Sequence, residues 1–582
     1  MIPESTIARL RAHLHRIYPD RLADEYLPRL VERLNAFRRA HPEAGSGRLF
    51  DQTDVVLITY GDQVRESGTP TLETLRKFLG AHLAGVITGV HLLPHHPFSS
   101  DDGFAVTDYT TVNPVLGDWT QVDALAREYR LMLDAVVNHT SASHPWFLRS
   151  VSGDPQYADF YHYPDPALDL SAVVRPRTTP LLSRTWSPDP ARQWVWTTFS
   201  ADQVDLNYAN PEVLLAVTDV LLNYLAHGAG MLRLDAIGFL WKEPGTSCLH
   251  LPQTHEIVRL WRTVVDAVAP GTLLVTETNV PHAENISYFG DGTNEAHLVY
   301  QFPLPPLTLL AFHTGDATGL AEWAAQLTTP GPAATFLNFL GSHDGIGVRP
   351  LEGLVPPVQV TMLCEQVWQQ GGQVSYRTLP DGTTSPYELN ISYFDALQPP
   401  QTPEPRVRQV DRFLAAHSIL LALAGVPAIY FHALFGSRSW PEGAEHTGQP
   451  RTINRQKFAR ATVEAELADP GSLRYQILRR LRERIAVRAG QPAFHPAAEQ
   501  RVSTGTGGRF VLQRTPAAGG GSVLCVHDVS GRDGRFRGQA PDRLPAGARL
   551  VDLCDGSEFR TEADGTVEVP LPAYGVRWLQ VN

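Results

Sequence analysis

At 582 residues the chain is too long for one compact core, and a formal net charge of −12 argues against nucleic acid or an anionic membrane as its partner. Lysine is nearly absent, so arginine carries almost all of the positive charge; a local basic pocket for a small anion remains open. Cys248, Cys364, Cys525 and Cys554 show neither a CxxC pair nor metal-ligand spacing and read as reduced thiols of a cytoplasmic protein.

Residues 1–50 read as an N-terminal extension. Over residues 5–40, leucines recur at helical spacing among arginines, which predicts two amphipathic helices, either packed on the main body or held out as a partner-binding arm. Nothing there has the apolar middle of a signal peptide, and no stretch of the chain approaches the ~20 apolar residues that span a bilayer.

Eight short runs rich in Val, Ile, Leu and Phe follow: DVVLITYG (54–61), GVHLLP (89–94), LMLDAVVNH (131–139), MLRLDAIGF (231–239), TLLVTETN (272–279), HLVYQFP (297–303), TFLNFLGSHD (335–344) and PAIYFHALFG (427–436). Such runs suit strands buried on both faces. Helical patterns lie between them, at 120–129, 211–228, 254–269 and 410–426. Eight strand–helix pairs predict an α/β fold, a (β/α)8 TIM barrel over 51–491. Two connections are far too long for plain loops. Residues 140–207, after strand 3, predict a small irregular subdomain, and residues 345–409, after strand 7, a second excursion. Both leave from the barrel face where active sites lie, placed to wall off a pocket. From residue 492 to 582, short strands with Gly-rich turns predict a C-terminal β-sandwich.

Five of the strand ends carry polar clusters, and together they supply three carboxylates, Asp235, Glu277 and Asp344. Arg233 and Asp235 are two apart, so both point to one side of strand 4; an Asp beside an Arg is expected to stay ionised, as a nucleophile must. Glu277 ends the apolar run LLVTE without a cationic neighbour, and desolvation there is expected to raise its pKa, which suits a proton donor. Asp344, after His343, is a candidate for holding sugar hydroxyls. A lone strand-end Asp in any barrel is ordinarily just hydrogen-bonded; five clusters in this order point to cleavage and transfer of a glycosidic bond.

The segments DAVVNH, MLRLDAIGF, LLVTETN, FLGSHD and TINRQKF resemble the signature regions of glycoside hydrolase family 13, the α-amylase superfamily, over roughly residues 50–580. The resemblance implies that Asp235 is the nucleophile, Glu277 the general acid/base and Asp344 the transition-state stabiliser, with Asp134, His139, Arg233 and His343 around the same sugar subsite. Asn138, in the first motif, is as readily a loop-holding residue as a sugar contact. PFSSDDGFAVTDY (97–109) resembles the segment of family members with a closed glucose pocket, which makes Asp101 and Arg455 candidates for the pair that seals it and Phe104 the apolar platform beside the ring.

RLDAIGFLWKEPGTSCLHLP (233–252), HDGIGVRP (343–350) and FPLPPL (302–307) resemble the sucrose phosphorylase subfamily. That implies a retaining double displacement in which inorganic phosphate, a co-substrate and not a cofactor, takes the glucosyl group as α-glucose 1-phosphate. Phosphate needs positive charge and donors, and Arg377, Arg184 and the hydroxyl of Tyr387 are candidates from the two excursions. Phe239 and Asn279 stand where the subfamily has a tyrosine and a histidine against the fructosyl group, which argues against plain sucrose. TETNVPHAENISYFGDG (276–292), SPYELNISYFDAL (385–397) and TGQPRTINRQKF (447–458) resemble the glucosylglycerate phosphorylase branch, with sucrose, sucrose 6′-phosphate and glucosylglycerol phosphorylases as neighbouring readings. A plain glycosidase or transglucosidase shares the same carboxylates, and an intact set of three counts against a silent scaffold protein. No nucleotide, flavin or pyridoxal motif appears, and the expected partners are a small α-glucoside and phosphate, with no metal required.

Overall fold

The structure, a computed structural model, describes every residue except 46, 401 and 518. Eight parallel strands close into a barrel: β1 (Val56–Thr59), β2 (Gly89–Leu92), β3 (Arg130–Val136), β4 (Ala229–Asp235), β5 (Leu273–Thr276), β6 (Leu298–Tyr300), β7 (Thr335–Asn338) and β8 (Val426–Tyr430). Neighbours follow chain order, and β8 closes on β1 with Ala428 opposite Val56. Both faces of these strands are covered, which is why their sequences are continuous apolar runs and not alternating ones.

The strands stop earlier than the apolar runs. β7 ends at Asn338, so His343 and Asp344 sit on the loop beyond it and not at the strand's last residues. The eighth run is strand only to Tyr430, and Phe431–Leu434 is one turn of helix, because burial persists while the backbone changes.

Helices α1 (Glu4–Ile17) and α2 (Asp20–Ala40) pack on the barrel rather than standing off it as an arm. Their partners are α3 (Pro211–Ala226) and α4 (Pro252–Val268). Leu10, Leu14, Leu30 and Leu34 are buried in the main core. His13 and Arg16 both bond Glu256 of α4, at 2.6 and 2.9 Å, and Arg29 forks onto Glu212 of α3 at 2.6 and 2.8 Å.

The chain leaves the barrel after β3 and after β7. The first insertion holds two small antiparallel pairs, His139–Ser141 with Gln203–Asp205 and Leu182–Arg184 with Trp194–Trp196. The second is a helix, Pro357–Gln369, on a three-stranded sheet of Ile346–Gly347, Thr384–Asn390 and Gln373–Thr378, and the barrel resumes with the helix that begins at Arg406. At the C-terminus a six-stranded sheet faces a two-stranded one. Alternation splits its strands between two cores: Val511, Leu524, Val526 and Leu579 face the smaller sheet, while Phe510, Leu512, Val523, Cys525 and Trp578 pack on the barrel side. Among the described residues no helix is long and apolar enough to cross a membrane.

Candidate active site

At the C-terminal mouth of the barrel a cavity is lined by Asp235, Glu277 and Asp344 together with Asp101, Phe104, His139, Arg233, Phe239, Asn279, His343 and Tyr387. The guanidinium of Arg233, 1% exposed, organises its floor. Its Nη1 donates to Asp235 Oδ1 at 2.7 Å and to Asp134, and its Nη2 lies 3.7 Å from Glu277 Oε2. Asp134 does not line the cavity. It lies beneath Arg233 and also accepts from His91 Nε2 at 2.7 Å, a fully buried support of the cation rather than a sugar contact.

β4 ends at Asp235, and the next residue, Ala236, adopts φ 50°, a conformation most L-residues avoid. The turn aims the Ala236 amide at Glu277 Oε2, 3.1 Å away. Burial pushes the Glu277 carboxyl up; Arg233 opposes this, and the charges of Asp344 and Asp134 add to it. Asp235 departs from expectation: burial pushes it up too, against the pull of Arg233, and the charges of Glu277 and Asp134 add to the rise. Two acids in one dry site cannot both ionise freely, so they titrate as a pair. Asp344 behaves oppositely. Burial alone would raise it, but Arg451, His343, Arg233 and Arg455 hold it well below the usual carboxylate range.

Arg451 is absent from the sequence reading, although it lies in the TGQPRTINRQKF motif. Its Nη1 is 2.7 Å from Asp344 Oδ1, and its Nε and Nη2 grip Glu388 at 3.0 and 2.7 Å. Arg455, one turn further along Pro450–Asn454 and its cap, donates from Nε to the His343 carbonyl at 2.8 Å. The sealing pair differs from the one expected. Arg455 Nη1 donates to Asp102 Oδ2 at 2.7 Å, whereas Asp101 Oδ1 is 3.7 Å away and Asp101 instead lines the cavity. Both aspartates have left-handed backbones, φ 51° and 48°, and that tight turn, not their order in the chain, decides which carboxylate meets Arg455. Phe104 stacks on His343, with centroids 5.0 Å apart and planes within 6°, while His139 Nε2 donates to the Phe104 carbonyl at 2.9 Å.

Of the proposed phosphate ligands only Tyr387 lines the cavity. Arg377 is turned away into an ion pair with Glu352 at 2.6 Å, and Arg184 lies against Trp194 on the outer hairpin. The cation that the first insertion does bring to the cavity is Arg177, which stacks over Tyr387 and Phe199 at 5.1 and 5.7 Å. Its only hydrogen bond among the described residues goes to the Pro176 carbonyl, so Arg177, alone among the cavity-lining arginines described, has no carboxylate partner.

The KEPGTSC segment explains how Arg177 is held. Cys248 packs with Val173, Leu181 and Trp196 in a small separate apolar cluster, and the Val174 amide donates to the Ser247 carbonyl at 3.0 Å, docking the stretch that ends in Arg177. Lys242 reaches the Phe239 carbonyl, Asn138 Oδ1 at 3.1 Å and Asp205 Oδ2 at 2.7 Å, tying the end of β3, the first insertion and the turn after β4 together. Asn138 is therefore a loop-holding residue, fully buried and outside the cavity lining. A usable signal for Lys242 was present: the chain has only three lysines, Lys77, Lys242 and Lys457, and the last, half-buried, lies over the Tyr60 ring and 2.8 Å from Asp62. A slim ammonium fits where a planar guanidinium does not. Phe239 lies edge-on to Phe199 at 5.4 Å, and Asn279 abuts Gly347, where a Cβ would come within 2.6 Å of its Oδ1.

Residues 85–345 match the family model described as alpha amylase, catalytic domain. The chain is 50% identical over 520 residues to a glucosylglycerate phosphorylase of Allomeiothermus silvanus, covering 89% of this chain and 92% of that protein. It is 46% identical to a glucosylglycerate phosphorylase of Spirochaeta thermophila, covering 98% of each. In fold it is similar to the crystal structure of sucrose 6F-phosphate phosphorylase from Thermoanaerobacter thermosaccharolyticum, with a TM-score of 0.70 at 24% identity, covering 82% of this chain and 94% of that one.

Proposed function

This chain belongs to the α-amylase family, glycoside hydrolase family 13, alongside glucosylglycerate phosphorylases, and from that membership we propose that it transfers an α-glucosyl group from glucosylglycerate to inorganic phosphate. The products are α-D-glucose 1-phosphate and D-glycerate, and the reaction is reversible. Asp235 attacks the anomeric carbon while Glu277 protonates the departing glycerate oxygen, which gives a covalent glucosyl-enzyme. Phosphate then takes the glucosyl group with Glu277 as base, so configuration is retained. The pair's single proton falls to Glu277 because Asp235 has the direct guanidinium hydrogen bond at 2.7 Å and Glu277 only a 3.7 Å contact. Asp344, held ionised by Arg451, faces the positive charge that develops on the sugar ring.

The observation that carries phosphate rather than water as acceptor is Arg177. A half-buried guanidinium without a carboxylate partner, beside the Tyr387 hydroxyl in the same cavity as Glu277, is a ready anion site. No metal or organic cofactor enters this scheme, and a cytoplasmic setting suits its phosphorylated product. The test is release of glucose 1-phosphate from glucosylglycerate and, in parallel, from sucrose, with and without phosphate. Phosphate-dependent release from glucosylglycerate is the expected result. Phosphate-independent release of glucose would make the protein a hydrolase, and phosphorolysis of sucrose alone would place it with the sucrose phosphorylases.

A further inference from the structure

A second guanidinium approaches Tyr387 from behind the cavity wall. Gly347 pairs with Glu388 across the inserted sheet, and the Val348 amide donates to the Tyr387 carbonyl at 3.0 Å, so the chain runs into Arg349 directly alongside Tyr387. Arg349 is only 7% exposed. Among the described residues its guanidinium makes no hydrogen bond, and its Nε is buried without a partner. The nearest carboxylate, Glu284, is 3.8 Å away, beyond hydrogen-bonding range, and is also engaged by His250 Nε2 at 3.3 Å. Arg377 is a like-charged neighbour already committed to Glu352.

Burying a guanidinium without hydrogen bonds is costly, and a fold keeps one where a ligand completes it. The surroundings say which ligand. Tyr387 lines the cavity together with Glu277, Arg177 and Asn279, while Arg349, brought beside it by the Val348–Tyr387 backbone bond, stands just outside that lining. Asn279 lines the same wall, and its Oδ1, wedged against Gly347, is buried without a donor. A guanidinium without a hydrogen bond, its nearest carboxylate at 3.8 Å, thus stands near an acceptor lacking a donor.

We infer that Arg349 is a specificity-determining residue of the acceptor side: with Tyr387 and Asn279 it reads the carboxylate and the remaining free hydroxyl of a 2,3-dihydroxy-acid aglycone such as glycerate, apart from Arg177, which faces phosphate. This rests on the phosphorylase reading above. Nothing in it requires Arg349 to touch the reacting atoms.

The test compares the parent with Arg349→Gln and Arg349→Lys on glucosylglycerate and on glucosylglycerol, whose aglycone has a neutral hydroxymethyl group in place of the carboxylate. In Arg349→Gln the ratio of kcat/KM for the acid over the neutral substrate is expected to fall ~30-fold, carried by KM, as losing a charged hydrogen bond predicts. Arg349→Lys should recover part of that ratio, and the KM for phosphate should stay put. Equal losses on both substrates would mean a general disturbance of the wall and would overturn the assignment. A rise in the phosphate KM as large as that for glucosylglycerate would overturn it too, by showing one shared anion site. Calorimetric titration of the same proteins with D-glycerate and with glycerol reads the subsite without turnover. Should the parent release no glucose 1-phosphate, the reaction falls, yet loss of D-glycerate binding in Arg349→Gln still supports the subsite and unchanged binding refutes it.

Discussion

The amide of Ala236 donates to Glu277 Oε2 at 3.1 Å, so the residue that follows the proposed nucleophile holds the proposed acid/base. The contact depends on φ 50° at Ala236. A left-handed L-residue costs ~1–2 kcal/mol, and glycine removes that strain but loses ~0.5–1 kcal/mol through its freer unfolded chain. Ala236→Gly should therefore change stability by less than about 1 kcal/mol and keep most activity. Ala236→Val, β-branched in a conformation that disfavours it, should cut kcat at least ~10-fold. Full activity in the valine variant would show that this amide does not set Glu277.

Removing a chemical group should cost far more than disturbing its support. Asp235→Asn and Glu277→Gln are each expected to lose about three or more orders of magnitude in kcat on glucosylglycerate. The two then separate by leaving group. With α-glucosyl fluoride, whose departure needs no proton, Glu277→Gln should recover much of its first step while Asp235→Asn stays inactive. Equal recovery in both variants would remove the assignment of roles.

Asp102, not Asp101, makes the short contact to Arg455. Asp102 is part-exposed, so its pair contributes little to global stability. Its effect should appear in the site, because Arg455 also holds the His343 carbonyl. Asp102→Asn should lower kcat/KM for glucosylglycerate roughly 10-fold with an unchanged melting temperature, through a looser loop at 343–344. Asp101→Asn acts from the cavity wall and should raise KM. Identical kinetic profiles for the two variants would refute this division.

Arg177 and its anchor should both be read in phosphate kinetics. Arg177→Ala should raise the KM for phosphate at least ~10-fold, the scale of one charge-assisted hydrogen bond. Cys248→Asp places a charge in the apolar cluster with Val173, Leu181 and Trp196 and should reproduce that rise in weaker form. A normal phosphate KM in Arg177→Ala would leave the anion site elsewhere.

Acid should destabilise the fold through its buried histidines. Burial pushes His96 down to about 4 from an unfolded value of 6.5, although Nδ1 bonds the Thr111 carbonyl at 2.6 Å and Nε2 the Tyr224 hydroxyl at 2.8 Å. Between those two values the unfolded chain binds the extra proton. This contribution is thus whole above pH ~6.5 and is lost as pH falls toward ~4, about 3 kcal/mol in all for this one residue. Urea unfolding at a series of pH values should show stability falling over that window, with a shallower slope in His96→Gln. An equal slope in the variant would exclude His96 as a source.

The barrel and its three carboxylates were legible in the sequence because each follows a short apolar run, and most such runs here are strands that lead to the mouth of the barrel. Arg233 and Asp235 followed from period-2 alternation alone, and the helical spacing of 5–40 marked α1 and α2. What the sequence could not assign came from the insertions. Arg177 was invisible because its place depends on Cys248 packing against Val173 some seventy-five residues away, and Arg377 was mistaken for a ligand because only the folded sheet brings Glu352 to it. The choice of Asp102 over Asp101, adjacent and chemically identical, rests on two left-handed backbone angles. Likewise, adjacency to Arg233 suggested an ionised Asp235, while the folded cavity adds the burial and the Glu277 charge that push it up. Local pattern determines which face of an element a residue occupies. Contacts between segments far apart in the chain decide which charge meets which, because Coulomb energy and desolvation depend on distance in space.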